Sequence, residues 1–150
     1  MKEIIIKKSA QVPMDLLLLA DPSEAQIRTY LERGTLFIAV SVEQVVGAYI
    51  LLETRPRTME IMNIAVVDEH QGQGIGKQLL MHAIQMARRQ GMYKLEIGTG
   101  NSSISQLALY QKSGFRMIGI EHNYFTRHYD EEIVENGIHC RDMIRLAIDL

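Results

Sequence analysis

The stretch IAVVDEHQGQGIGKQLL, residues 64–80, decides how this chain is read. A β-branched apolar run enters a loop carrying Gly72, Gly74 and Gly76. Apolar residues then recur at helical spacing, at Ile75, Leu79, Ala83, Met86 and Ala87, until Gly91 closes the period. A strand therefore passes into a helix through glycines. Three missing Cβ atoms let backbone amides approach a ligand, and the helix start adds a partial positive charge of about half a unit, so phosphate is the natural occupant. Three loop designs compete. A Walker A loop needs Gly at position 71 and Ser or Thr after Gly76-Lys77, but Gln71 and Gln78 stand there. A dinucleotide fingerprint needs a third glycine where Lys77 stands. Glu96 has the spacing of its ribose-binding acid, yet the strand before the loop sits among hairpins. The remaining pattern is Q-x-x-G-x-G, at Gln71, Gly74 and Gly76.

Working outward, Glu3 to Lys7 reads as a strand and Val12 to Ala20 as a short helical or irregular apolar segment. A helix follows, with Asp21 as its cap, Pro22 in the first helical position, Glu24 completing a capping-box pattern and Gly34 as a left-handed stop. Leu36 to Val40 and Val45 to Glu53 form a hairpin, and Thr58 to Val67 is the strand that feeds the glycine loop. Lys94 to Thr99 returns to strand. Ser102 or Ser103 caps a helix with Ile104, Leu107, Ala108 and Gln111 on one side, ended by Gly114. Phe115 to Glu121 and Cys140 to Ile148 are the last strands, joined by a long polar loop with aromatics. The order predicts a single α+β domain over residues 1–150, with a mixed, mostly antiparallel central sheet flanked by helices and one βαβ crossover.

With 47% hydrophobic and 23% charged residues, the 150-residue chain has the composition of a folded domain rather than a disordered one. Its net charge of −2 supplies no global field toward nucleic acid or an anionic membrane, so any polyanion must be held by a local device. Uniformly apolar runs such as Leu16 to Ala20 reach only five residues, far short of a membrane span. The opening MKEIIIKK is too weakly apolar for a signal peptide, and the lone Cys140 builds no disulfide framework, so a cytoplasmic location is expected. His122, His128 and His139 are spaced unlike any short zinc pattern, so no metal is expected.

Q-x-x-G-x-G, followed by the strand Leu95-Glu96-Ile97, then Asn101 and Leu109-Tyr110-Gln111-Lys112-Ser113-Gly114-Phe115, resembles the GCN5-related N-acetyltransferase (GNAT) family. The second block is similar to the family's N-x-x-A-x-x-x-Y-x-x-x-G-F, with two additional residues between Asn101 and Tyr110. Together with the strand order, the resemblance covers nearly the whole chain. It implies acetyl transfer from acetyl-CoA to an amine acceptor. The cofactor would be held by Ile64, Val66, Val67, Gln71, Gly72, Gln73, Gly74, Ile75, Gly76, Lys77 and Asn101. It also implies that the strand before the loop bulges and splays from its neighbour, freeing a backbone amide near Val66 for the developing oxyanion. A homodimer is an arrangement the family allows.

Acetyl transfer to an amine needs a deprotonated amine, oxyanion stabilisation and a proton for the departing thiolate. Tyr110 matches the family's general acid; an ordinary phenol is protonated at neutral pH. Two carboxylates compete as base. Glu60 sits on the strand leading to the loop, where period-two alternation puts it on one face with Met62, Ile64 and Val66. Glu96 stands five residues before Asn101, as the base does in the family branch that acetylates protein N-termini. A small amine is the expected acceptor. A protein N-terminus or lysine is the enzymatic alternative, and a non-catalytic acyl-CoA-binding module is the alternative from another class.

Overall fold

The computed structural model describes residues 3–150; Met1 and Lys2, the first residues of the opening MKEIIIKK stretch, lie outside the described residues. Seven strands form one sheet: β1 (Ile5–Lys8), β2 (Thr35–Ser41), β3 (Gln44–Arg55), β4 (Thr58–Val66), β5 (Lys94–Gly100), β6 (Arg116–Glu121) and β9 (Met143–Asp149), in the order β1-β2-β3-β4-β5-β9-β6. All neighbours are antiparallel except β4 and β5, which are joined by the crossover helix α3 (Ile75–Arg89). This is the mixed sheet with one βαβ unit that the element order predicts. Among the described residues no helix is long and apolar enough to cross a membrane.

Helices cover both faces. On one side α3 buries Ile75, Leu79, Leu80, Ala83, Ile84 and Ala87 against Tyr49, Leu51, Ile61, Leu95, Ile97 and Leu146. On the other, α1 (Met14–Ala20) and α2 (Glu24–Arg33) pack Leu16, Leu17, Ile27 and Tyr30 on Ile38, Ala48, Ile50 and Leu52. The helix α4 (Ile104–Lys112) turns Tyr110 into the first core, with Leu107 and Leu109 beside it. Of the residues grouped on one side by spacing, Ile104, Ala108 and Gln111 face outward and Leu107 is half-buried. The short helix has apolar residues around most of its circumference, so spacing alone does not select its buried stripe.

Three further expectations change. Ser23, rather than Asp21, caps α2, its hydroxyl accepting from Gln26 N–H at 3.2 Å, and Pro22 precedes the helix. Gly34 ends α2 in extended rather than left-handed backbone. Its requirement is space: a Cβ there would lie 2.9 Å from both Ile50 Cγ2 and Tyr30 O. The long loop before the last strand holds structure of its own, a helix α5 (Tyr124–His128) and a ribbon of β7 (Val134–Glu135) with β8 (Ile138–His139).

The crowding at Gly34 makes a stability prediction. Gly34→Ala costs about 1–3 kcal/mol in urea unfolding because a backbone carbonyl cannot give way, whereas Gly119→Ala, with nothing within 4 Å, stays within about 0.5 kcal/mol of the parent.

Candidate active site

The site forms where β4 and β5 part. They pair only from Thr58–Lys94 to Ile61–Ile97; beyond that, β4 continues to Val66 while Gly98 to Gly100 pair only with β9. A bulge accompanies the parting. Ile50 of β3 faces Asn63 and Leu51 faces Ile61, which leaves Met62 as the extra residue. The splay expected from the resemblance is present, but the bulge lies at Met62, four residues before Val66.

The bulge also flips the strand's alternation. Before it, Met59 and Ile61 join the α3 core; after it, Ile64 and Val66 do. Glu60, opposite Leu52, therefore lies on the α1–α2 face, away from Ile64 and Val66 and not beside them as unbroken alternation predicts. Asn63 is held on that same face, its Nδ2 donating to Leu17 O and Tyr30 Oη at 3.0 Å each.

On the α3 side of the opening lies a cleft of about 360 Å³, lined by Ile64, Val66, Gln71, Gly72, Gly74, Ile75, Gly76 and Lys77 from β4 and the glycine turn. His70, the end of α1 at Leu19 and Ala20, and α4 at Ser105, Gln106, Leu109 and Tyr110 complete it. Gly72 and Gly74 adopt left-handed φ of 79° and 83°. Gly76 passes under α4, where a Cβ would come within 3.3 Å of Leu109 Cδ2. The first helical bond of α3 runs from Gln78 N–H to Gly74 O, and among the described residues the amides of Gly72 through Lys77 find no acceptor. These unpaired donors, the helix start and Lys77 make an anion cradle. Gln71 braces the turn, donating from Nε2 to Asp68 Oδ1 at 3.1 Å and Val66 O at 3.3 Å.

Val67, Gln73 and Asn101 stand outside this cleft. Val67 N–H donates to Val46 O, and Gln73 Oε1 lies 3.4 Å from His70 Nδ1. Asn101 is a junction: Nδ2 donates to His139 O at 3.1 Å, and Oδ1 accepts from Arg141 and Asp142 N–H at 2.8 and 2.9 Å.

A second cleft, of about 580 Å³, opens on the α1–α2 side and meets the first at Leu19, Ala20, Ile64, Gln106 and Tyr110. Tyr110 is 4% exposed at this junction, and burial pushes its phenol well above the ordinary value. Glu60 lines the second cleft. Burial raises its carboxyl; Arg145, 3.8 Å away, opposes the rise, Glu96 adds to it and Arg55 opposes it. Glu96, 8% exposed, accepts from Arg55 Nη2 at 2.9 Å and does not line the cleft. Residues 122–139 roof this cleft as a strap. Tyr129 Oη donates to Asp21 Oδ1 at 2.8 Å, and the Ser102 and Ser103 hydroxyls donate to Glu135 Oε1 at 3.2 and 3.1 Å. The ties that hold the strap are not legible in the sequence, because they join residues more than thirty positions apart. The one available signal was the aromatic cluster Tyr124, Phe125 and Tyr129 within a polar loop. Among the described residues no group of three or more His, Cys, Asp or Glu is arranged to hold a metal ion.

Comparison with known proteins agrees with this architecture. The model of the Acetyltransferase (GNAT) family matches residues 11–115. The chain is 57% identical over 136 residues to the uncharacterized N-acetyltransferase YvbK of Bacillus subtilis (strain 168), covering 91% of this chain and 88% of that one. An IAA acetyltransferase from Bacillus cereus ATCC 14579 superposes with a TM-score of 0.97 at 60% identity, covering 99% and 100% of the two chains. A GNAT family acetyltransferase from Elizabethkingia anophelis, with acetyl-CoA bound, gives 0.96 at 48% identity over 98% of each. These likenesses define an acyltransferase. The chain belongs to the GNAT family of acetyltransferases.

The strap carries the prediction here. Tyr129→Phe removes a hydrogen bond to a carboxylate, of about 1.5–3 kcal/mol. Amide hydrogen exchange should accelerate across Tyr124 to Tyr129 while β3 and β4 keep their protection; unchanged exchange in the strap would show that Tyr129 does not hold it.

Proposed function

We propose that this enzyme transfers the acetyl group of acetyl-CoA directly to the primary amine of a small molecule. The observation that carries the reading is the meeting of two clefts at Tyr110, where β4 and β5 part. The cradle on the α3 side fits a pyrophosphate, because its amides are unpaired and its lining contains no carboxylate. Acetyl-CoA supplies a thioester carbonyl when bound. The edge of β4 beyond Ile61, released from β5, offers backbone partners to an extended pantetheine arm.

Glu60 accepts the amine's proton, directly or through one water. An ordinary ammonium and an ordinary carboxylate differ by about six pKa units, and each unit by which burial raises Glu60 narrows that gap by about 1.4 kcal/mol. Nitrogen then bonds to the carbonyl carbon, the carbon–sulfur bond breaks, Tyr110 donates its proton to the leaving thiolate, and the second proton lost by the acylated nitrogen returns to the Tyr110 phenolate. A phenol raised by burial is a weak acid, so it holds the proton until the sulfur carries charge. Glu96, tied to Arg55, supports the electrostatics around Glu60 and is the less suited of the two carboxylates to meet an amine. A small acceptor is favoured over a protein N-terminus or lysine by the strap, which is tied down at Asp21, Ser102 and Ser103 across the mouth that a polypeptide would use.

The test is free-thiol release with acetyl-CoA and a panel of amines. Tyr110→Phe and Glu60→Gln should each lower kcat/KM by about a hundredfold or more. Because Glu60 acts as a carboxylate and its pKa is raised, the parent's activity should fall with decreasing pH at a value above the ordinary carboxylate range, and Glu60→Gln should abolish that limb. Unchanged rates in both variants would refute the assignment of roles, and turnover of only protein substrates would refute the small acceptor.

A further inference from the structure

The two clefts have opposite electrostatic character. The cradle side is lined by Lys77 and His70 and no carboxylate. The acceptor side is lined by Asp21, Glu60, Glu132 and Glu135 and by no Lys, Arg or His. Asp21, at 9% exposure, has only neutral donors, namely Ser23 N–H and the Tyr30 and Tyr129 hydroxyls, and forms no ion pair among the described residues. Asn63 adds a further acceptor. It is 4% exposed and lines the same cleft. The Tyr30 hydroxyl proton goes to Asp21 Oδ2 at 3.0 Å, so Asn63 must present Nδ2 to Tyr30, and its Oδ1 is left without a partner. A buried acceptor without a donor costs about 1–3 kcal/mol, and a buried negative charge without a cation costs more. Four carboxylates thus line a cavity whose lining contains no Lys, Arg or His; behind it Arg145 stands 3.8 Å from Glu60 and His139 3.7 Å from Glu132, so that among the described residues Asp21 and Glu135 are the two without a cation. Tyr30, Tyr124, Phe125 and Tyr129 wall it with rings, which suit the methylene stem and cationic ends of an alkylamine.

Resting on the transferase reading above, we infer that the acceptor is a diamine or polyamine, one nitrogen reacting at Glu60 and Tyr110 and a second, protonated nitrogen held by the remaining acceptors of the same cleft. A monoamine leaves Asp21 and Glu135 with neutral donors alone. An amino acid adds a carboxylate to a cleft that already holds four. One charge-assisted contact corresponds to about a tenfold or larger gain.

The experiment compares 1,5-diaminopentane, 1-aminopentane and 6-aminohexanoate, three primary amines of similar length, with two readouts. Thiol release with acetyl-CoA gives kcat/KM, and calorimetric titration into the CoA-loaded protein gives binding without chemistry. The diamine should exceed the monoamine about tenfold or more in both, with the aminohexanoate weakest, and Asp21→Asn should reduce the diamine-to-monoamine ratio. Equal values for the three amines, with thiol released from each, would overturn the diamine inference and leave the transferase reading standing. Selective binding of the diamine with no thiol release from any amine would do the reverse.

Discussion

The structure depends on a sheet that stops pairing with itself. β4 and β5 share a ladder only as far as Ile61 and Ile97, and from there each strand continues with one edge unanswered by the other. Backbone N–H and C=O groups left in that state inside a fold are costly unless something completes them. The fold holds the gap open from both sides. The Met62 bulge turns β4 so that Asn63 is pinned to Leu17 and Tyr30 on the α1–α2 face, while Ile64 and Val66 are drawn into the α3 core. Continuous pairing would need both attachments to give way. The opening is thus a consequence of core packing on both faces, and the two clefts meet there.

Around that opening the chain arranges charge locally. A net charge of −2 predicts little about its ligands. On the cradle side, a run of unpaired amides at the start of α3, with Lys77 beside them, creates positive potential without any large basic patch. On the other side, carboxylates line a cavity whose lining includes no Lys, Arg or His. On the proposed reading, a polyanionic donor and a cationic acceptor are sorted to opposite sides of the sheet by these fields, and the reacting atoms meet at Tyr110. Burial serves both roles there: it keeps the phenol protonated, and it raises Glu60 toward the amine it is proposed to deprotonate.

Much of this was legible in the chain. The change from period two to period 3.6 across the glycine turn marks β4, α3 and the crossover, because each element is long enough for its apolar face to repeat. The anion cradle follows from glycines at the helix start. What could not be read is instructive. A bulge adds one residue without interrupting β propensity, so Met62 looks like any strand position, and the side Glu60 faces inverts with it. Asp21 and Ser23 are both good caps; Asp21 is recruited instead by Tyr30 and Tyr129, the latter 108 positions away. The strap is held by the Ser102 and Ser103 hydroxyls donating to Glu135 and by the Asn101 carboxamide donating to His139 O, contacts that no local pattern encodes. Asn101, singled out by the family motif, has its whole carboxamide engaged in that framework.

The most direct measurement is a titration of the isotopically labelled protein with acetyl-CoA, followed by backbone amide chemical shifts. The amides of Gly72 through Lys77 and those of β4 beyond Met62 should move together and saturate at one stoichiometric equivalent, while those from Thr58 to Ile61, already paired with β5, stay nearly still. Saturable shifts that leave the glycine turn and the freed edge of β4 unmoved would contradict the account.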